Sequence, residues 1–410
     1  MKLKSDYWGR GRGAPGISGE NQSLPLSGAT ILQVIPHLSA GGAERTVIEV
    51  TEALTAAGAK SLVASAGGRL EGELARAGGE LIQIDSLPTK NPLQIYSNAT
   101  ALSKIIGKRN VGLVHARSRA PAWSAYWAAH RMKRPFVTTY HGIYNAKGRL
   151  KQWYNSIMSR GDAVIANSEF TANHVRKAHP DAAGRIVTIH RGVDIARFSP
   201  EAVNEERKNR LIKEWRIDPG KDEAIILLPA RMTGWKGHRE AIAAASLLVR
   251  RPGPPWIMVF AGDDQGRDAY MLELSQLISS HGLDDRIAMV GHCDDMPAAL
   301  ALSDIVIAPS NEPEAFGRVA AEAGAMARPV VGSDIGAQPE IIENGATGYV
   351  IPPFNPAALA NAIGGLLDMG PTGRAAIGAA AQARIREKFT TVALQQATLA
   401  VYERLIGKAQ

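Results

Sequence analysis

The sequence predicts an α/β architecture: two doubly wound domains of similar size facing a central cleft, with helices at the end of the chain. Three observations carry this. From residue 31 onward, short apolar runs alternate with amphipathic stretches, the rhythm of βαβ units with parallel strands. The rhythm breaks once, where Phe198-Ser199-Pro200 is followed by a charged stretch over 201–214 and a turn at Pro219-Gly220, and then restarts. The 410 residues fill two or three domains at about 100–200 residues each.

Residues 1–28 are rich in Gly, Ser and Pro without apolar periodicity, so disorder is expected there. A G-x-G-x-x-G match at 11–16 is rejected as a dinucleotide loop, because no strand precedes it and Pro15 sits where a helix would open. Strands are expected at 31–36, 60–65, 80–85, 112–115, 135–140, 162–166 and 185–189. Helices at 43–57, 92–109, 121–131 and near 168–178 connect them. The second series has strands at 224–229, 256–261, 286–290, 304–308, 329–331 and 348–351, and closes in helices at 356–368, 373–388 and 392–406. A domain boundary is expected near residue 200. In such sheets ligands bind beyond the carboxyl ends of strands, so functional residues belong in the loops that follow them.

Composition narrows the classes. Hydrophobic residues make up 45% and charged residues 21%, ordinary for a soluble globular protein. The single cysteine, Cys293, permits no intrachain disulfide and suggests a reducing compartment. No run of about 18 apolar residues suggests a transmembrane helix, and no apolar stretch follows the first basic residues as a secretory signal would require. A cytoplasmic location is the expectation. The formal net charge of +8 is unevenly spread: 86–161 hold 13 Lys and Arg and no Asp or Glu. Such a stretch implies a positive field and an anionic partner: nucleic acid, an anionic membrane surface or a phosphorylated substrate. A merely solvated face is the plain alternative.

Four local patterns carry chemistry. Gly41-Gly42 lies between the first strand and its helix, where glycine lets backbone approach a ligand and the helix N-terminus offers free N–H groups to an anion. His141, between Tyr140 and Gly142, sits at a strand's carboxyl end and can donate to a sugar hydroxyl or a phosphate. Arg231 and Lys236 follow the first strand of the second series, with Gly234 and Gly237 beside them. Arg supplies a planar fork and Lys a point charge, which suits a diphosphate. The segment Asn311-Glu312-Pro313-Glu314-Ala315-Phe316-Gly317-Arg318 leads into a helix carrying Glu322. Its N-terminus can hold a phosphate while Glu314 and Glu322 accept hydrogen bonds from vicinal hydroxyls. A tight turn, a loop histidine, a solvated basic loop and a helix with an acidic first turn are the bland counterparts. No H-E-x-x-H, C-x-x-C, G-x-S-x-G or Asp-x-Asp pattern is present, so no metal is expected.

Taken together these residues resemble the retaining, nucleotide-sugar-dependent glycosyltransferases of family 4, which have the GT-B fold. Glu314-Ala315-Phe316-Gly317 through Glu322 looks like the family's E-x7-E element, continuing to Ala327-Arg328-Pro329 and Gln338-Pro339-Glu340. Gly41-Gly42-Ala43-Glu44, His141-Gly142, Gly192-Val193-Asp194 with Phe198-Ser199-Pro200, and Arg231 with Lys236-Gly237 support it. The resemblance implies an acceptor-binding domain at 29–200, a nucleotide-sugar-binding domain at 201–390, and a final helix at 391–410 returning to the first. It implies that Gly41 and Gly42 line the donor phosphate and that His141 hydrogen-bonds the transferred sugar. Arg231 and Lys236 would bind the diphosphate. Glu314 would hold donor-sugar hydroxyls, Glu322 the ribose, and the backbone near Ala315, Phe316 and Gly317 the diphosphate or sugar. The family often has Asn before Gly-Val-Asp. This chain has Arg191 there, and no catalytic role is assigned to it. The runs His115–Trp123 and Tyr140-His141-Gly142 further resemble transferases of the lipopolysaccharide core. That implies GDP-mannose or a UDP-hexose as donor, an anionic glycolipid acceptor, and a peripheral contact with the inner-membrane surface. Leu150-Lys151-Gln152-Trp153-Tyr154 and Ile157-Met158 mix basic and apolar groups as an interfacial helix would, with a core-facing stripe as the alternative. A sugar-nucleotide 2-epimerase of the same fold, a basic nucleic-acid-binding protein and a non-catalytic scaffold are the rival readings. No nucleic-acid partner is expected, because the Trp and Tyr lie mostly in helical runs.

Overall fold

A computed structural model describes residues 26–39, 41–144, 148–218, 220 and 222–408. Two parallel sheets form the molecule, as the βα rhythm requires. The first has seven strands: β1 (Thr30–Val34), β2 (Lys60–Ser65), β3 (Glu80–Gln83), β4 (Leu113–Ala116), β5 (Phe136–Tyr140), β6 (Ala163–Ala166) and β7 (Ile186–Thr188). The second has six: β8 (Ala224–Pro229), β9 (Trp256–Ala261), β10 (Ile287–Gly291), β11 (Ile305–Ala308), β12 (Val330–Ser333) and β13 (Gly348–Ile351). Their spatial orders are 3-2-1-4-5-6-7 and 10-9-8-11-12-13. Each expected strand is present within about two residues. Most strands are buried on both faces, which is why they read as apolar runs rather than alternating ones.

These orders position the site. The winding reverses between β1 and β4, and again between β8 and β11. At such switch points the flanking loops diverge and leave a crevice at the strands' carboxyl ends. The loops after these four strands carry Gly41-Gly42, Arg117, Arg231 with Lys236, and Glu314.

The structure adds detail at three places where the sequence is silent or approximate. The disorder expected for 1–28 lies outside the described residues up to 25, but Leu26 is buried in one core with Val50 and Leu54. The charged stretch at 201–214 is mostly a helix, Glu205–Trp215, capped by Asn204. Its sparse apolar residues Leu211 and Trp215 pack into the second domain, which its charged outer face conceals in the sequence. The chain also passes between cores earlier than residue 200: Val193 and Phe198 already pack with the second core.

The two crossings lie side by side. Val193 donates its N–H to the Phe389 carbonyl at 2.8 Å and accepts from the Thr391 N–H at 3.0 Å. Gly192 is needed there, since a Cβ would sit 2.4 Å from Thr391 Cα. After the second crossing the helix Thr391–Gly407 packs on the helix Gly42–Ala56 of the first domain. A latch joins the domains nearby. Glu340 accepts from the Phe170 and Glu169 N–H groups at 2.6 and 2.8 Å, and pairs with His190 Nε2 at 2.8 Å. Burial raises its pKa, but the His190 hydrogen bond and the two N–H groups outweigh that and hold it below the usual carboxylate range. Glu340→Ala removes an N-cap supplied from the other domain. It is expected to lower stability by about 1–2 kcal/mol in urea titration.

Candidate active site

The second sheet contributes a charged pair. Lys236 Nζ lies 2.8 Å from Glu314 Oε1, with the two side chains 11% and 14% exposed. Ser310 Oγ donates to the same carboxylate oxygen at 2.5 Å, and the ammonium sits 4.2 Å from the centre of the Trp235 ring. The loops are locked together by backbone: Asn311 N–H donates to the Trp235 carbonyl at 2.7 Å, and Ala337 N–H to the Glu314 carbonyl at 2.9 Å. Gly237, at φ +81°, follows Lys236, and a Cβ there would lie 2.0 Å from the Pro309 carbonyl oxygen. Only glycine combines that left-handed conformation with that approach. Arg231, on the same loop, is exposed, so one cation is held by a carboxylate while the other faces outward.

Glu322 lies apart from Glu314. It accepts from Arg318 Nη2 at 2.5 Å and lines a cavity of about 290 Å³ with Arg45, Glu49, Arg191 and Arg318. This cavity lies between the two domains, with its walls drawn from the helices Gly42–Ala56 and Arg318–Ala325. Gly317, at φ +81°, precedes the second of these helices without a side-chain cap, leaving its first N–H groups free. The Phe316 side chain is 4% exposed and packs edge-on to Phe389, so only its backbone is available to a ligand.

On the first domain, His141 follows β5 directly. Its Nε2 is buried without a hydrogen-bond partner. Burial first, and then the nearby Arg117 and Arg191 cations, hold its pKa well below 6.5. The imidazole is therefore neutral at physiological pH, able to donate from one nitrogen and accept at the other. A buried network supports it from below. Arg117 Nε and Nη2 donate to Gln33 Oε1 at 2.8 and 2.6 Å. His115 bridges the Tyr402 hydroxyl at 2.6 Å and Thr139 Oγ1 at 2.7 Å. Gly41 caps the helix Gly42–Ala56 without a side-chain hydrogen bond. A Cβ on Gly42 would lie 1.7 Å from Arg191 Nη1.

The structure thus joins Lys236 with Glu314, and brings the Gly42 helix, Arg191 and Glu322 around one cavity. It leaves Arg231 outside both sets of contacts. Arg117, buried on Gln33, and Arg191, which lines the cavity with Arg318, were given no role from the sequence. Arg117 and Arg191 each follow a strand or lie at a crossing, and their positions at strand ends were the available signal. Among the described residues no group of three or more His, Cys, Asp or Glu is arranged to hold a metal ion, and no helix is long and apolar enough to cross a membrane.

Comparison with known proteins bears on this geometry. Residues 40–197 match the family described as Glycosyltransferase Family 4, and residues 210–384 that described as Glycosyl transferases group 1. The chain is 31% identical to an alpha-D-kanosaminyltransferase of Streptomyces kanamyceticus, over 67% of this chain and 72% of that protein. It is also 31% identical to the lipopolysaccharide core biosynthesis mannosyltransferase LpsB of Rhizobium meliloti, over 62% of this chain and 69% of that one. Among solved structures, a glycosyltransferase from Rickettsia africae superposes with a TM-score of 0.85 at 36% identity, covering 92% of this chain and 99% of that one.

Proposed function

Because the chain belongs to the family-4 glycosyltransferases and has their GT-B fold, we propose that it is a retaining, metal-independent hexosyltransferase. It takes a hexosyl group, mannose first among candidates, from GDP-mannose or a UDP-hexose. The acceptor is an anionic glycolipid of the lipopolysaccharide-core kind, reached at the cytoplasmic face of the inner membrane. The observation that carries this reading is the pair beyond β8 and β11, Lys236 held on Glu314.

The chemistry follows from charge. As the glycosidic bond breaks, negative charge grows on the departing nucleotide diphosphate and the anomeric carbon becomes oxocarbenium-like. Lys236 and the free N–H groups after Gly317 are a fixed cation and fixed dipoles for that charge, an electrostatic contribution of the oxyanion-hole kind, and the exposed Arg231 on the same loop adds a mobile one. Neutral His141 hydrogen-bonds the transferred sugar from the opposite domain. Glu314 accepts from sugar hydroxyls with its remaining lone pairs, and Glu322 from the ribose.

The acceptor reading is supported by the acid-free region. Leu93, Tyr96, Leu150 and Trp153 are all more than half exposed. Trp153 stacks on Trp123 at 4.6 Å, and Arg160 lies over Trp123. An open groove of about 780 Å³ between Lys90, Arg119, Lys151 and Trp153 adjoins them. Basic and aromatic groups together suit an anionic lipid surface. Ile157 and Met158, by contrast, are core residues.

The test is a donor panel in EDTA: GDP-mannose, UDP-glucose, UDP-galactose and UDP-N-acetylglucosamine, with and without a Kdo-lipid acceptor. Acceptor-dependent nucleotide release from one donor, with a retained anomer by NMR, is the expected result. Interconversion of the free donor without acceptor would favour the 2-epimerase, and full activity only with added metal would overturn the metal-independent reading. Co-sedimentation with anionic but not zwitterionic vesicles, weakened about tenfold in Leu150→Ser/Trp153→Ser, tests the membrane contact.

A further inference from the structure

Tyr140 closes β5 and is 2% exposed, yet its hydroxyl meets no hydrogen-bond partner among the described residues. Asn155, 4% exposed, holds a second such group. Its Oδ1 accepts from Arg119 Nη1 at 2.8 Å, which fixes the amide and leaves Nδ2 a buried donor without a partner. Buried polar groups are costly unpaired, and two in one place call for a partner from outside the chain.

Both residues line one cavity of about 370 Å³ beside the helix Glu169–Ala178, within the range of small-molecule sites, about 300–1,000 Å³. Tyr144, Val175, His174 and His179 line it too. The Tyr140 and Tyr144 rings are 5.1 Å apart and inclined by 37°. Arg119 lies 4.1 Å from the centre of the Tyr144 ring, so one guanidinium steadies two walls. Burial keeps both phenols protonated: it raises Tyr140 above the ordinary range and pushes Tyr144 up to about 12. Among the described residues no Asp or Glu lines the cavity. The walls thus offer donors and aromatic faces.

This cavity lies apart from the residue that faces the transferred sugar. Tyr140 packs with Met158 and Val175 on one face of the first sheet. His141, next in the chain, lies with Arg117, Thr139 and Leu394 on the other. Tyr144 and Asn155 also line the basic groove with Lys90, Arg119 and Lys151, so the cavity adjoins that groove.

We infer that the cavity is a carbohydrate subsite: it holds a non-reacting pyranose ring of the acceptor through the Tyr140 hydroxyl and the Asn155 amide, with Tyr144 against the ring's C–H face. The inference rests on the glycosyltransferase reading and adds a second point of sugar recognition, across the sheet from His141. A pyranose matches the walls because it carries C–H groups for an aromatic face and hydroxyls at its edge for an amide and a phenol. A phosphate would need a cation, and the adjacent Arg119 already holds Asn155 and Tyr144.

The test is saturation-transfer NMR on the full chain without donor, with methyl α-D-mannopyranoside, methyl α-D-glucopyranoside and Kdo as probes. Transfer to at least one of them is expected, strongest at the C–H protons of one ring face. Tyr140→Phe is expected to raise the Kd of that probe about three- to tenfold, the effect of one hydrogen bond, while stability in urea stays level or rises, because the lost hydroxyl bonds nothing within the chain. Ala178→Trp, at an exposed helix position on the cavity wall, is expected to abolish the signal and carries the comparison if Tyr140→Phe does not fold. No transfer to any probe in the parent, or a folded Tyr140→Phe protein that binds within twofold of it, would overturn the inference and leave a water-filled cavity. Binding is read without donor or turnover. Absence of sugar transfer by the parent, which would sink the glycosyltransferase reading, is therefore a separate result.

Discussion

Lys236→Met is expected to lower kcat by about 10²–10³-fold with a smaller change in donor KM, because the lost charge acts mainly on negative charge that develops in the transition state. The substitution also strands Glu314, which is 14% exposed and otherwise accepts only from Ser310 within the described contacts. Some loss of stability should accompany it, about 1–3 kcal/mol. Glu314→Gln keeps a hydrogen-bonding group near Ser310 but removes the counter-charge, and a fall of about 10²-fold is expected. If the two residues act as one unit, the double variant should be little worse than Lys236→Met alone. Steady-state kinetics on the four proteins, with urea titrations beside them, reads both effects. A Lys236→Met enzyme near the parental rate would remove the ammonium from the leaving-group side of the reaction.

Acid should unfold this protein well above the carboxylate range. Burial is the largest influence on three histidines, His115, His141 and His238, and it lowers all three pKa values, with His238 at about 4. A depressed histidine pKa means that, below about pH 6.5, the unfolded chain binds protons that the folded chain refuses. Stability is therefore fully present above pH 6.5 and is lost as pH falls toward the folded-state values. Each such group contributes about 1.4 kcal/mol per pH unit, so the three together approach roughly 4 kcal/mol per unit. Domain stabilities are only about 5–15 kcal/mol, so marked destabilisation is expected by about pH 5. Urea titrations between pH 7.5 and 5 measure the slope. His115→Gln, which keeps hydrogen-bonding capacity toward Tyr402 and Thr139, should flatten the slope by about a third. An unchanged slope would show that His115 protonates in the folded state.

Much of this was legible in the residues. The seven and six strands, the glycines at 41, 42 and 237, and the Glu314–Glu322 element are local patterns. An apolar run bounded by turn residues marks a strand wherever it packs. A glycine between strand and helix marks close approach, whatever it approaches. The loop residues Lys236 and Glu314 were also identifiable, because doubly wound sheets place chemistry after strands. Less legible was the helix Glu205–Trp215, whose two deeply buried apolar side chains are outnumbered by charges on its solvated face.

By itself, then, the sequence determined the kind of fold and where its strands end and their loops begin, because alternation and turn propensity act over a few residues. The tertiary structure alone decided the partners. Lys236 meets Glu314 across 78 positions, Glu340 caps Phe170 across 170, and Tyr402 reaches His115 across 287. It also decided that Arg191 lies beneath Gly42 rather than in solvent. Such pairings depend on which strands become neighbours at the switch points and on where the chain crosses between domains. No local periodicity encodes that, because side chains far apart in the chain meet only when packing the two cores brings them together.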